Sequence, residues 1–170
     1  MSSFYTYLIS SLPLLRFGQP PPFSYVAFLE ECAEFIPAED FKALSNPVDP
    51  THLPLVKEID CFEVMLANEL VKIRAASRKV HPEKYLRPDG YAGPSIYHIA
   101  LSAHRNPSPL EAERYLDQER WNYLEEKSFG HYFDFGALII YAHKLLILER
   151  WDKINSAPSR SLLEEAIRQR

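Results

Sequence analysis

The sequence predicts a mainly α-helical fold, and three observations favour it. The chain has 170 residues and is 46% hydrophobic, which is enough to bury a substantial core. Its 14 prolines leave two long windows, 55–81 and 110–157, free of residues that break helices. Within these windows, apolar residues recur at steps of three and four, the spacing that lines one helical face. We therefore expect a bundle of several long and short helices joined by irregular, Pro-rich connections.

The N-terminal segment is ambiguous. Residues 4–10 are of β-favouring types, but their spacing fits a strand or a helix. One short N-terminal strand therefore stays open as an alternative to a helix or an irregular segment. Residues 15–22 end in three prolines and predict an extended connection. The proline-free windows 23–36 and 38–46 leave room for short helices.

The window 55–81 predicts the first long helix. Its apolar residues mostly stand three or four positions apart, and they are Leu55, Ile59, Phe62, Leu66, Leu70, Ile73 and Val80. A helix of about 25 residues would be ~38 Å long at 1.5 Å per residue.

An irregular stretch, residues 81–94, follows this helix. It contains Pro88-Asp89-Gly90, which is typical of a turn. We expect it to separate an N-terminal helical group (about 1–80) from a C-terminal one (95–170) within a single domain, 1–170. The chain is either complete or a fragment of a longer one.

Ser108-Pro109-Leu110-Glu111 predicts the start of the next helix. Serine can cap a helix, proline suits its first position, and the glutamate can reach back to close a capping box. We expect this helix to run at least to Lys127.

A largely apolar helix is expected after it. Gly130 permits a break, and Asp134 can cap the stretch 135–151, which is apolar nearly all round. Such a helix should be buried on most sides and central to the fold. A last segment begins with a second capping box, Ser161 to Glu164.

Composition excludes several functions. The chain has 19 Lys and Arg against 23 Asp and Glu, a net charge of −4, so it has no global positive field for nucleic acid or anionic lipid. With only five glycines it has no glycine-rich phosphate loop, and no cofactor is expected. The longest apolar run, 137–148, is shorter than the ~20 residues of a membrane span. The start lacks the positive region of a secretory signal, so we expect a cytoplasmic protein without direct membrane insertion.

The residues that could carry chemistry form no local motif. No two histidines are spaced i, i+4, and no Cys-x-x-Cys occurs, so no catalytic or metal residue is predicted. Cys32 and Cys61 are expected to be reduced, inert core residues. The carboxylates of 108–126 alternate with basic residues and predict a solvated face; they are Glu111, Glu113, Asp117, Glu119, Glu125 and Glu126. A metal-dependent hydrolase using His98, His104 and these carboxylates is the least favoured alternative.

One basic patch stands out, at the end of the first long helix and in the stretch that follows. It consists of Lys72, Arg74, Arg78, Lys79, Lys84 and Arg87. With Glu83, the local charge over 72–87 is +5. Basic residues stabilise helix C-termini, which is one explanation. The other is a surface that meets an acidic partner. Nucleic acid ranks third, because Tyr85 is the only aromatic residue there for base stacking.

The opening of the chain carries a motif. Residues 5–22 read Tyr-Thr-Tyr-Leu-Ile-Ser-Ser-Leu-Pro-Leu-Leu-Arg-Phe-Gly-Gln-Pro-Pro-Pro. They resemble the start, Tyr-Tyr-Leu-x-x-Ser-Leu-Pro, of a family of uncharacterised bacterial proteins (DUF2764) encoded among the genes of V/A-type rotary ATPases. The similarity runs through most of the 170 residues.

The wider helical pattern is similar to the funnel-shaped C subunit of those V-type ATPases (the d subunit in eukaryotes), which joins the rotor shaft to the membrane ring. Phe62-Glu63 resembles the pair that leads one of its long helices, 110–117 resembles a downstream helix with Glu and Leu-Asp, and 152–155 resembles the acidic residue and asparagine near the end of the helix that follows. The resemblance implies a non-enzymatic structural or coupling subunit, or an accessory protein, whose partners are the central shaft and the membrane ring. It also implies a peripheral location at the inner membrane through the complex. A freestanding helical protein-binding module is the alternative.

Overall fold

A computed structural model describes residues 5–46, 53–88 and 93–156. Within these ranges it contains α-helices and no strand, which confirms the mainly α fold. The helices are α1 (Thr6–Ser11), α2 (Tyr25–Ala33), α3 (Ala38–Ser45), α4 (Pro54–Arg78), α5 (Pro94–Arg105), α6 (Pro109–Lys127) and α7 (Phe135–Asn155), with a 3-10 turn at Glu83–Tyr85. The N-terminal alternative of a strand is wrong, because Thr6–Ser11 is helical. Asp89, Gly90 and the segment from Ser161 lie outside the described residues.

The chain divides into two compact units. The first comprises the described residues of Met1–Pro47 and Leu124–Arg170, and the second those of Val48–Tyr123. This division does not coincide with the expected groups 1–80 and 95–170, because α4 packs against α5 on the other side of the 81–94 stretch. That the whole chain acts as a single domain stays a prediction.

Helix α4 organises the second unit. Pro54 occupies its first turn, where a missing N–H removes no helical hydrogen bond. Its buried side chains Phe62, Leu66 and Leu70 join a cluster with α5 and α6. The buried contributions from α5 are alanines, Ala100 and Ala103, whose small side chains let the two helices approach closely, and Ile96 and Ile99 of α5 pack against the same cluster.

The end of α4 differs from the prediction. The helix has the expected 25 residues but stops at Arg78, because Lys79 adopts a left-handed conformation with φ 55°. The Val80 amide then donates to the Ala75 carbonyl at 3.0 Å, and Val80 is 50% exposed rather than part of the buried face. Glycine is the usual residue at such a position, since a Cβ there costs about 1 kcal/mol.

A charged cluster fastens α6 to α4. The Arg120 Nε donates to Glu63 Oε1 at 2.8 Å, and its Nη1 donates to Asp117 Oδ1 at 2.9 Å. Beside this cluster the Phe62 and Tyr123 rings stack with centroids 4.1 Å apart. Asp117 is only 1% exposed, so the predicted solvated face is wrong at this position. A buried carboxylate is tolerated there because Arg120 compensates its charge.

Helix α7 is central to the first unit, as predicted. The Asp134 Oδ1 accepts from the Ala137 amide at 3.1 Å and so caps the helix. Helices α2 and α3 both pack against α7. Its buried residues are Leu138, Ile139, Ile140, Ala142, Leu145, Leu148 and Trp151.

Polar contacts tie the connections of the first unit to α7. The Tyr25 amide donates to Glu149 Oε1 at 2.6 Å, and the Tyr141 hydroxyl donates to the Pro13 carbonyl at 3.0 Å. Phe28, at the centre of α2, stacks on Tyr141 with centroids 5.2 Å apart. The stretch 15–22 is free of helix and strand, but the extended connection predicted there is interrupted by a turn: Gly18 has φ 82°, and the Gln19 amide donates to the Arg16 carbonyl at 3.2 Å.

Across the described ranges, every helix is too short or too polar to cross a membrane.

The central position of α7 leads to a stability prediction. Leu145 is fully buried, so Leu145→Ala should lower the free energy of unfolding by about 2–5 kcal/mol through lost burial and a residual cavity. Leu14→Ala in the same unit is the matched control, because Leu14 is 79% exposed and should change stability by less than about 0.5 kcal/mol. Urea unfolding followed by circular dichroism measures both. Equal effects of the two substitutions would contradict the central role of α7.

Candidate functional site

The predicted basic patch lies in the second unit, at the C-terminal end of α4 and in the segment that follows it. Each of its six cations is exposed. They form two arms: Lys72, Arg74 and Arg78 lie on the last turns of α4, whereas Lys84 and Arg87 lie on the segment that returns from it. Lys79 stands at the turn between the arms. We call the six residues the basic surface.

The returning arm is held by one side chain. The Asn68 Nδ2 donates to the Arg87 carbonyl at 3.0 Å, and the Arg87 amide donates to Asn68 Oδ1 at 2.9 Å. This paired contact fixes the backbone of Arg87 beside the middle of α4. Lys72 lies one turn beyond Asn68 on the same helical face. The pair of hydrogen bonds therefore holds the Arg87 backbone one helical turn from Lys72.

The cations of the basic surface differ in how far they are engaged. The Lys72 Nζ contacts Glu69 Oε1 at 2.6 Å, and the Lys84 Nζ lies over the Tyr85 ring, 5.7 Å from its centroid. His81, at the turn, has its Nδ1 3.9 Å from Glu83 Oε2. The surface thus combines charge with the exposed ring of Tyr85. Such a surface can bind carboxylates through lysine and arginine donors.

The residues of the hydrolase alternative are not assembled into a site. His98 and His104 are exposed on α5, and Asp117 is engaged by Arg120. Glu125 belongs to the other unit and accepts from Lys144 Nζ at 2.8 Å. Throughout the part of the chain that the structure describes, no three His, Cys, Asp or Glu residues lie close enough to hold a metal ion.

The first unit contains a cleft of about 380 Å³ that the sequence did not reveal. It lies between residues 9–15, the end of α6 and the first turns of α7. On one wall, His131 Nδ1 is 2.6 Å from Asp134 Oδ2. Gly136 makes room for this ring, since a Cβ at position 136 would come within 2.4 Å of His131 Nδ1. The Ser128 Oγ donates to the Glu125 carbonyl at 2.6 Å, which directs its proton away from His131.

An exposed apolar feature adjoins this cleft. Between α6 and α7 the chain exposes three aromatic side chains, Phe129, Tyr132 and Phe133, which we call the aromatic turn. Phe129 is the most exposed at 86%, and Tyr132 also lines the cleft. Exposed aromatic groups of this kind are typical of protein interaction sites.

Part of the chain has relatives of unknown function. Residues 98–169 match the family described as Protein of unknown function (DUF2764). The DUF2764 match supports the resemblance to an uncharacterised family, although the opening motif at 5–22 lies outside it. No curated protein and no solved structure matches the chain, and nothing links it to the C subunit of the rotary ATPases.

The two candidate surfaces lie on different sides of the DUF2764 boundary in sequence. The matched range contains the aromatic turn and the His131, Asp134 and Gly136 arrangement, whereas the basic surface at 72–87 precedes it. The basic surface therefore lies outside the matched residues.

Sequence reasoning missed two features that shape the basic surface. Asn68 is a buried polar residue close to the buried Leu66 and Leu70 on α4. A polar residue within this apolar pattern is the signal that could have revealed its structural role. The left-handed turn at Lys79 had none, because lysine seldom adopts that conformation and the apolar spacing continued to Val80.

The two cysteines are also unlike each other. Cys32 is buried as predicted, but Cys61 is exposed, so its assignment to the core is wrong. The reason is its place on α4: it precedes Phe62 and points away from the buried face. Burial, with a smaller contribution from the charge of Glu31, raises the pKa of Cys32 to about 12.

These environments predict different thiol reactivity. The thiolate is the reactive form of cysteine, so Cys32, which is protonated and buried at about pH 8, should react slowly. Cys61 is exposed to the reagent and should react quickly. A colorimetric thiol reagent should therefore label one thiol of the native chain quickly and the second only on unfolding. Cys61→Ser should abolish the rapid phase, and Cys32→Ser should leave it intact. A rapid phase that survives Cys61→Ser would contradict the structure.

Proposed function

We propose that this chain is a non-enzymatic structural or coupling subunit, or an accessory protein, of a bacterial V/A-type rotary ATPase. Its partners would be the central shaft and the membrane ring, and the complex would hold it at the cytoplasmic face of the inner membrane. Three observations support the proposal: the opening motif at 5–22, the DUF2764 match at 98–169 and a helical fold with exposed candidate binding surfaces. The basic surface is the observation that carries the binding role.

The geometry of the second unit suits a strut. Helix α4 is 25 residues long, about 38 Å at 1.5 Å per residue. Arg120 links it to α6 by contacts to Glu63, and the stacked rings of Phe62 and Tyr123 reinforce the same junction. A helix fixed in this way can carry its terminal cations as a rigid element, which favours a coupling or scaffolding role.

The polar side chains of the cleft favour a structural role over catalysis. Lys144 is engaged by Glu125, and His131 by Asp134. A serine nucleophile needs a hydrogen bond to its base, whereas Ser128 donates to a backbone carbonyl. The arrangement supports a structural role for these groups.

A freestanding helical protein-binding module is the second candidate. The aromatic turn favours it, because exposed aromatic side chains such as Phe129 are typical of protein interaction sites of any kind. The two candidates differ in the identity of the partner, which one experiment can establish.

Isolation of the native complex tests the proposal. The gene is tagged in its own organism, membranes are solubilised under mild conditions, and the purified proteins are identified by mass spectrometry. Shaft or ring subunits of the ATPase should co-purify, and their recovery should fall as NaCl rises, since an ionic contact is screened by salt.

The control is an unrelated protein of the same organism with the same tag. A complex that lacks every ATPase subunit would contradict the proposal. Recovery of one defined partner outside the ATPase would then favour the freestanding module.

A further inference from the structure

We infer that the basic surface is a docking site for an acidic protein segment, and that Lys79 and Asn68 are the residues that make it one. The inference rests on the proposed function in one respect, that this chain works by binding a protein. It goes further by naming the chemistry of the segment bound: carboxylates, with an apolar side chain among them.

Lys79 gives the first argument. In the described ranges it is the one residue other than glycine with a positive φ, and it lies where the two arms of the basic surface meet. Glycine would adopt this conformation without steric cost. A lysine held in an unfavourable backbone conformation at the centre of a charged surface indicates that its side chain has a use outside the fold.

Asn68 gives the second argument. It uses both ends of its amide on the backbone of Arg87 and so holds the returning arm alongside α4. Without these bonds, Lys84 and Arg87 would belong to a separate loop. With them, the backbone of the returning arm is held beside α4, and less freedom remains to be lost on binding.

The partner's chemistry follows from what the surface offers. Arginine can donate two parallel hydrogen bonds to a carboxylate, and the surface contains Arg74, Arg78 and Arg87. Val80 and Tyr85 expose apolar area among the cations. Acidic side chains with an apolar residue between them complement both features.

Charge distribution favours a protein segment over nucleic acid or a membrane. Residues 72–87 carry +5 in a chain of net charge −4, so the remainder carries −9. A short acidic segment needs only the local positive charge, which acts within a Debye length of about 8–10 Å, whereas the net negative charge of the chain disfavours an extended phosphate array or an anionic bilayer. The ring of Tyr85 already has the Lys84 ammonium group over it, which hinders base stacking.

A binding assay with the purified full chain tests the inference. The probe is a fluorescent peptide of glutamates with leucines at steps of three and four, and its neutral counterpart has glutamine for glutamate. Anisotropy should show binding of the acidic peptide alone. Vesicles of phosphatidylcholine with phosphatidylglycerol, and a single-stranded RNA, form the competing arms.

Lys79→Gly is the decisive variant. It should raise the thermal unfolding midpoint, because glycine relieves the left-handed position, and weaken acidic-peptide binding by about threefold or more. Lys57→Ala is the control: Lys57 is an exposed lysine near the other end of α4, and its loss should change affinity by less than about twofold. Unchanged affinity in Lys79→Gly would overturn the role of Lys79.

A double-mutant cycle tests Asn68. If it positions the returning arm, Arg87→Ala should weaken binding in the wild type but add little in an Asn68→Ala background, whereas Arg74→Ala should weaken binding in both. Additive effects of Asn68→Ala and Arg87→Ala would overturn the positioning role. If Asn68→Ala does not fold, Arg87→Ala and Arg74→Ala are compared as single variants. Equal losses of peptide affinity support a joint surface, and an unchanged affinity in Arg87→Ala overturns it.

The remaining outcomes separate this inference from the proposed function. Tighter binding to vesicles or RNA than to the acidic peptide, lost in the same variants, would overturn the inference. Peptide binding without ATPase co-purification would sustain it and remove the proposed function. Co-purification without peptide binding would sustain the proposed function and overturn the inference.

Discussion

This structure depends on one constraint: the backbone groups at the ends of its helices need hydrogen-bond partners. The last carbonyls and the first amides of a helix have no partner within it, and a buried group without one is destabilising. A chain with few glycines must meet this requirement with side chains. Ser24 and Asp134 do so at helix starts, and Asn68 does so for the segment that follows α4.

The same constraint places the candidate binding residues. Asn68 satisfies the Arg87 backbone and, in doing so, holds the segment that carries Lys84 and Arg87 beside α4. The left-handed Lys79 completes the hydrogen bonds at the end of α4 while it projects a charge. Folding and recognition therefore share the same few residues, and a substitution that improves one can impair the other.

Local signals made much of the fold predictable. The length of α4 followed from its proline-free window and apolar spacing, and the starts of α6 and α7 followed from Ser108-Pro109 and Asp134. Each of these signals lies within a few residues of the feature that it specifies. The six basic residues were predicted as a patch because they are close in sequence.

The rest depended on contacts between distant residues. The burial of Asp117 requires Arg120 to face Glu63 on another helix, and the cleft requires residues 9–15 to lie against α7. Helix α1 has only six residues, which are too few for the hydrophobic periodicity of the sequence to distinguish a helix from a strand. Cys61 looked like its apolar neighbours, and only the rotation of α4 decides that it is exposed.

The arrangement around Gly136 bears on how this sequence can change over time. The imidazole of His131 fills the space that a side chain at 136 would need, and Asp134 both caps α7 and holds that ring. A side chain at 136 would displace the partly exposed His131 ring and with it the contact to Asp134. Positions 131 and 136 are therefore coupled, and a side chain at 136 is accommodated most easily beside a smaller residue at 131.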